Sequence, residues 1–174
     1  MQDHLKLLTI DFDRLPAELL CAAKAHLRVE FDRDDQYIRG ALGRAIAEVE
    51  SVGNLSVNPA AWEWTPRCWR ASNSYRLPKQ PVRYLRDTAT GQDVDLLWDE
   101  NTAYLRREHH GLNQTFELGV GYADASCLPP VVVNAILMLV GTLYEQREAV
   151  QMGTFTELPD MANRLLSGLW RPSV

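Results

Sequence analysis

The sequence predicts an α+β fold, mainly helical: a bundle of three to four helices with a small antiparallel β subdomain inserted between the second and third helices. Three observations predict it. Before residue 53, apolar residues recur at three- and four-residue steps, the period of amphipathic helices. From residue 55 to 122, prolines, tryptophans and turn residues cut the chain into short pieces, several of which alternate like strands. Then PPVVVNAILMLVGTLYEQRE, Pro129 to Glu148, runs almost unbroken apolar for several turns before becoming charged. With 174 residues, 46% hydrophobic and 24% charged, the chain suits one domain with a true core and not a disordered or fibrous class. The expected organisation is a single domain over 1–174, a β-rich subdomain over 55–122 and a distinct C-terminal segment over 158–174.

The first helix is expected from Pro16 to Arg28. Proline suits a first helical turn, where its missing N–H leaves nothing unsatisfied. Leu15, Leu19, Leu20, Ala23 and Leu27 fall close to one face. Asp32 to Asp35 form an acidic break, in which Asp34 or Asp35 can cap the next helix. That helix runs to about Val52 on Ile38, Ala41, Leu42, Ala45, Ile46 and Val49, and Gly53-Asn54 ends it. Gly40 and Gly43 weaken it and suggest close approach by a neighbour.

Strands are expected over Ala61 to Trp69 (interrupted at Pro66), Pro81 to Arg86, Asp93 to Trp98 and Thr102 to Arg107. The clearest is QTFELGVGY, in which Phe116, Leu118, Val120 and Tyr122 share one face. The third helix follows from Val131 to Tyr144, and a short fourth is expected from Asp160 to Leu169 behind Leu158-Pro159.

Motifs for chemistry are sparse. His109 and His110 are adjacent and so point apart on any regular element, which makes a solvated turn the better reading than a metal site. Asp93 and Asp95 would share a strand face, as an acid pair or as a merely exposed edge. Cys21, Cys68 and Cys127 are odd in number and widely spaced, which argues for reduced thiols and against a disulfide framework or zinc knuckle. There is no GxSxG, P-loop, GxGxxG or HExxH. No cofactor and no metal are expected, and a small enzyme built on Asp93, Asp95, His109 or His110 is the alternative reading. A net charge of −5 argues against a general basic grip on nucleic acid. A DNA-binding helix pair is disfavoured as well, because VEFDRDD is acidic and long for a tight turn. No secretory leader is read at the N-terminus, which points to the cytoplasm.

The apolar third helix is the informative feature. It is shorter than the about 20 residues that a bilayer needs, so no membrane is expected and protein must cover it. One face carries Val133, Ile136, Leu137, Val140 and Tyr144, the other Val132, Ala135, Leu139 and Leu143. A helix apolar on both faces needs cover on both, from its own chain or from neighbouring copies. Gly141 suggests tight packing. The residues assigned to this core and subunit-packing role are Val132, Ile136, Leu139, Val140, Leu143 and Tyr144.

Taken in order, AHLRVEFDRDDQYIRGALGRAIAEVE, RLPKQPVRYL, FELGVGY, LPPVVVNAILMLVGTLYEQRE and ELPDMANRLLSGLWR resemble the head–tail connector (head-completion or adaptor) proteins of long-tailed phages and related prophage elements. The matching pieces are Leu27-Arg28-Val29, Asp34-Asp35, Leu77-Pro78, Pro81-Val82, Gly121-Tyr122, Pro129-Pro130, Tyr144-Glu145 with Arg147-Glu148, and Leu165-Leu166 with Arg171, covering about residues 15 to 171. The Trp-rich stretch from Val57 to Tyr75 is longer than in shorter members. The resemblance implies a structural virion protein and not an enzyme. It implies a ring of copies, commonly a dodecamer, in the virion neck beneath the portal protein, with host cytoplasm as its place before assembly. The ring would join the capsid to a stopper or tail-completion protein, and DNA would pass through its lumen without sequence-specific binding. Leu165, Leu166, Leu169, Trp170 and Arg171 are the residues expected to dock on the portal.

Overall fold

A computed structural model describes residues 3–53, 55–66, 74–99, 102–106 and 114–147. The fold is α+β. The described residues form two compact units, one of strands (residues 3–11 and 58–123) and one of helices (12–57 and 124–147).

The strand unit holds two antiparallel sheets. The first has the order β1-β2-β7-β4, formed by β1 (His4–Ile10), β2 (Ala60–Thr65), β7 (Phe116–Val120) and β4 (Val82–Asp87). The second has the order β3-β6-β5, formed by β3 (Ser74–Arg76), β6 (Thr102–Arg106) and β5 (Leu96–Asp99). Three helices thus stand beside seven strands among the described residues, so a mainly helical balance is not what they display. Six of the strands fall between the second and third helices; β1, which precedes the first helix, and β3 among the six were not expected.

Boundaries differ where the local chain explains it. The strand expected from Asp93 begins only at Leu96, because the backbone before it is tied to β4: Val94 donates to the Leu85 carbonyl at 2.8 Å. The strand expected to reach Trp69 is described as far as Thr65, just before Pro66, which has no N–H to donate to a ladder.

The unit's core gathers Trp64, Phe116, Leu85, Leu105 and Leu118, all fully buried. Trp64 stacks at 5.6 Å on both Tyr75 and Phe116. Its indole N–H and the Tyr75 hydroxyl both donate to Asp3 Oδ2, so the polar edges of the aromatic cluster end on one carboxylate. The Gln80 amide clamps Ala103 from both sides, donating to its carbonyl at 3.2 Å and accepting from its N–H at 3.3 Å.

Glycine is required at two points in this unit. A Cβ on Gly119 would overlap the ring of Tyr84 on the adjacent strand. Gly121 has φ +87° and lies against the Asn58 carbonyl. The GVGY glycines therefore serve strand packing and a turn.

The helical unit comprises α1 (Arg14–Leu27), α2 (Asp35–Gly53) and α3 (Pro130–Glu145). In α1, Leu15, Leu19, Leu20 and Ala23 are buried, and in α2, Ile38, Ala41, Leu42, Ala45, Ile46 and Val49. These are the periodic positions of the sequence. Helix α1 ends at Arg28 in the left-handed region, φ 57°, where its N–H reaches the Ala25 carbonyl and the next N–H reaches Lys24. Asp124 accepts from the Ser126 and Cys127 N–H groups and caps the short 3-10 turn that leads into α3. That capping holds the Asp124 carboxyl below its ordinary value, with the Ser126 hydroxyl as the largest cause.

The helix glycines behave differently from expectation. Nothing described lies within 4 Å of a Cβ built on Gly40 or Gly43, so among the described residues no neighbour approaches them closely. Gly141 faces His26 of α1 at 3.6 Å, ordinary van der Waals contact. The expected fourth helix lies outside the described residues.

Candidate assembly surface

Helix α3 follows from its sequence. Pro130 sits in its first turn, and fifteen helical residues without a charge before Glu145 leave no polar face. Val132, Ile136, Leu139, Val140 and Leu143 are buried to 2% exposure or less. Their cover within the unit comes from α1 and α2, which both pack on α3. Val131, Val133, Leu137 and Met138 remain half-buried, and Asn134 is exposed. The Val133–Leu137 stripe of α3, one turn apart, is thus less covered than the fully buried set.

The C-terminal end of α3 is fixed by a polar cluster at the start of α2. The Asp34 carbonyl accepts the first helical bond of α2, from Ile38 N at 2.9 Å, which makes Asp34 its N-cap residue. Its carboxylate does not cap; it turns to α3. Oδ2 accepts from the Tyr144 hydroxyl at 2.5 Å and lies 3.5 Å from Arg147 Nη1. The guanidinium of Arg147 also stands 5.5 Å from the centre of the Tyr144 ring. Tyr37 completes the set: its hydroxyl donates to the Leu143 carbonyl at 2.7 Å, and its ring meets Tyr144 edge-on at 6.0 Å. The bond to Asp34, and then burial, raise the Tyr144 phenol above its ordinary 10.0.

The next acid braces α1. Lys24 Nζ lies 2.6 Å from Asp32 and 2.7 Å from Asp35, so the acidic linker forms an ion triad joining the end of α1 to the start of α2. The two hydrogen bonds raise the Lys24 ammonium above 10.5, and the bond from Lys24 holds Asp32 below 3.8. Beside this triad lies a largely apolar groove of about 480 Å³, lined by Ala17, Leu20, Cys21, Ala25 and Val29, with Lys24 and Asp35 at its polar edge. Exposed apolar side chains occur on both units: Phe12 at 61% and Phe31 at 48% on the helical one, Leu7, Leu8 and Trp98 on the other. The Asp34 cluster and the groove are the features that sequence reasoning missed.

The candidates for chemistry disperse. Asp93 is paired with Arg86 at 3.0 Å on an exposed edge, and Asp95 is exposed. Cys21 and Cys127 are free and exposed. His109, His110, Cys68, and the expected docking residues Leu165, Leu166, Leu169, Trp170 and Arg171 lie outside the described residues. Among the described residues, no group of three or more His, Cys, Asp or Glu side chains is placed to hold a metal ion. No described helix is long and apolar enough to cross a membrane. Trp62 of the Trp-rich stretch lies under Lys79, whose ammonium stands 5.3 Å from the ring centre.

No protein-family model matches the chain, and no curated protein matches it. Solved structures do. The chain is similar to one in the neck of an empty GTA particle, computed with C6 symmetry, at 20% identity and TM-score 0.69, over 98% of this chain and 97% of that one. It is similar to a chain in the virion of a native gene transfer agent (GTA) particle at 19% identity and TM-score 0.68, over 98% and 96%. It is also similar to a chain in the neck of a native GTA particle, computed with C12 symmetry, at 21% identity and TM-score 0.64, over 98% and 97%. At these identities the likeness is one of fold, and it runs through both units.

Proposed function

We propose that this chain is a structural neck protein of a phage-like particle, a head–tail connector of the adaptor type. The observation that carries the reading is the fold match along 98% of the chain to neck components of GTA particles. In this reading, copies close into a ring under the portal, commonly twelve-fold, and join the capsid to the stopper or tail. DNA passes through the lumen, and a body of net charge −5 lets it slide without sticking.

A cyclic ring needs a heterologous interface, in which one face of each copy meets a different face of the next. Val133 and Leu137 supply apolar surface for one such face, while Val132, Ile136, Leu139, Val140 and Leu143 hold the helix that presents them. Tyr144 ties the end of that helix to Asp34. Leu165, Leu166, Leu169, Trp170 and Arg171 dock on the portal, since an apolar segment needs a partner to cover it. The test is to replace Leu166 and Trp170 with aspartate and measure attachment to filled capsids. Attachment is expected to be lost; unchanged attachment removes the segment from the docking role.

A further inference from the structure

The groove beside α1 has no role in the ring as proposed, yet the structure places it next to the point where the chain leaves the described helices. Its lining is mainly apolar: Leu20 and Val29 are buried, Cys21 and Ala25 exposed. The one ammonium at its polar edge is already taken up, because Lys24 is held by Asp32 and Asp35. It therefore fits an apolar occupant better than a charged one. Arg147, the last described residue, lies 3.5 Å from Asp34, and the next residue along, Asp35, lines the groove.

We propose that in the free protein this groove holds the segment from Asp160 to Trp170 of the same chain, which covers it until the particle assembles. The segment has the chemistry for it. Met161, Leu165 and Leu169 recur at four-residue steps, with Leu166 and Trp170 on the adjacent row, so a helix of these residues offers one broad apolar face. An amphipathic helix laid in an apolar groove is an established mode of recognition. The length suffices too. The residues between Arg147 and Asp160 reach roughly 40 Å when extended, at about 3.3 Å each, whereas the whole of α1 spans only about 21 Å.

The proposal rests on the docking role given to this segment above, since the surface that would meet the portal is the one sheltered here. Its test needs no portal, so the two fail separately. Cys21 lines the groove and reports its cover. In a full-length Cys68→Ser, Cys127→Ser chain, the reaction of Cys21 with an aromatic disulfide reagent is followed at several protein concentrations. The same chain carrying Leu166→Asp and Trp170→Asp is compared. The expected result is about tenfold faster modification in the aspartate variant, with the parent's protection independent of concentration. Equal rates in the two chains overturn the proposal. Protection that rises with concentration also overturns it, because the occupant is then a second copy. A second measurement avoids altering the segment. Ala25→Arg obstructs the groove and is expected to speed tryptic cleavage at Arg164; unchanged cleavage contradicts the proposal.

Discussion

The Tyr144 hydroxyl donates to Asp34 Oδ2 at 2.5 Å, joining the last turn of α3 to the N-cap residue of α2. The two residues are 110 positions apart in the chain. Each belongs to a short sequence pattern, DD and YEQRE, whose physical purpose the contact supplies: one carboxylate orients the helix end from which the remaining chain departs.

Removing that hydroxyl loosens the end of α3. Tyr144→Phe is expected to destabilise the protein by about 1.5 to 3 kcal/mol, the range for a hydrogen bond to a charged group. Chemical denaturation of the variant and the parent measures it. A loss below the experimental error contradicts the bracing role.

The same bond predicts an alkaline signature. The folded state raises the Tyr144 phenol above its ordinary 10.0, so the neutral form is the one the fold favours. The stabilisation is fully present below that ordinary value and is lost as pH rises through the raised one. Stability curves of the parent and of Tyr144→Phe are expected to converge at high pH. Parallel curves contradict the assignment.

Acid acts in the opposite sense. The Asp124 carboxyl, held down by Ser126 and Cys127, and Asp87, held down first by the Ala89 N–H and then by Gln114, favour the charged form in the fold. Their stabilisation is present above the ordinary 3.8 and is lost as pH falls through the lowered values. Asp124→Asn is therefore expected to narrow the stability gap between neutral and acid pH, read by thermal unfolding at both.

In the strand unit, Gly119→Ala sets a methyl into the Tyr84 ring and is expected to cost about 1 to 3 kcal/mol. Tyr84→Ala removes the obstacle, although it also breaks the 2.7 Å bond from the Tyr84 hydroxyl to Glu117. In a double-mutant cycle, the pair is expected to cost less than the sum of the single changes. Simple additivity contradicts the packing explanation.

The helices were legible in the sequence because each buries one periodic stripe, and every apolar position named for α2 is buried. Strand β1 was not, because HLKLLTI lies at a sheet edge with most residues exposed and shows no clean alternation. The split into two sheets also escaped, since β2 pairs with β7 across the whole of β3 to β6, a choice made by long-range packing. For α3, composition announced that it must be covered but not from which side. Only the packing of α1 and α2 separates the buried Val132 and Ile136 from the half-buried Val133 and Leu137.

That separation predicts two distinct phenotypes. Ile136→Ala opens a cavity in the helical core and is expected to cost about 2 to 5 kcal/mol of folding stability. Leu137→Asn, at a half-buried position, is expected to leave the chain folded and to abolish incorporation into particles. Purified variants read the first quantity and particle composition the second. Normal incorporation of Leu137→Asn removes the α3 stripe from the interface.

The central claim is tested most directly by electron cryo-microscopy of the intact particle neck, with and without imposed cyclic symmetry. The account predicts density for this chain as a closed ring of copies about the DNA axis, directly beneath the portal. Particles whose neck lacks the chain, or holds a single copy away from the axis, contradict it.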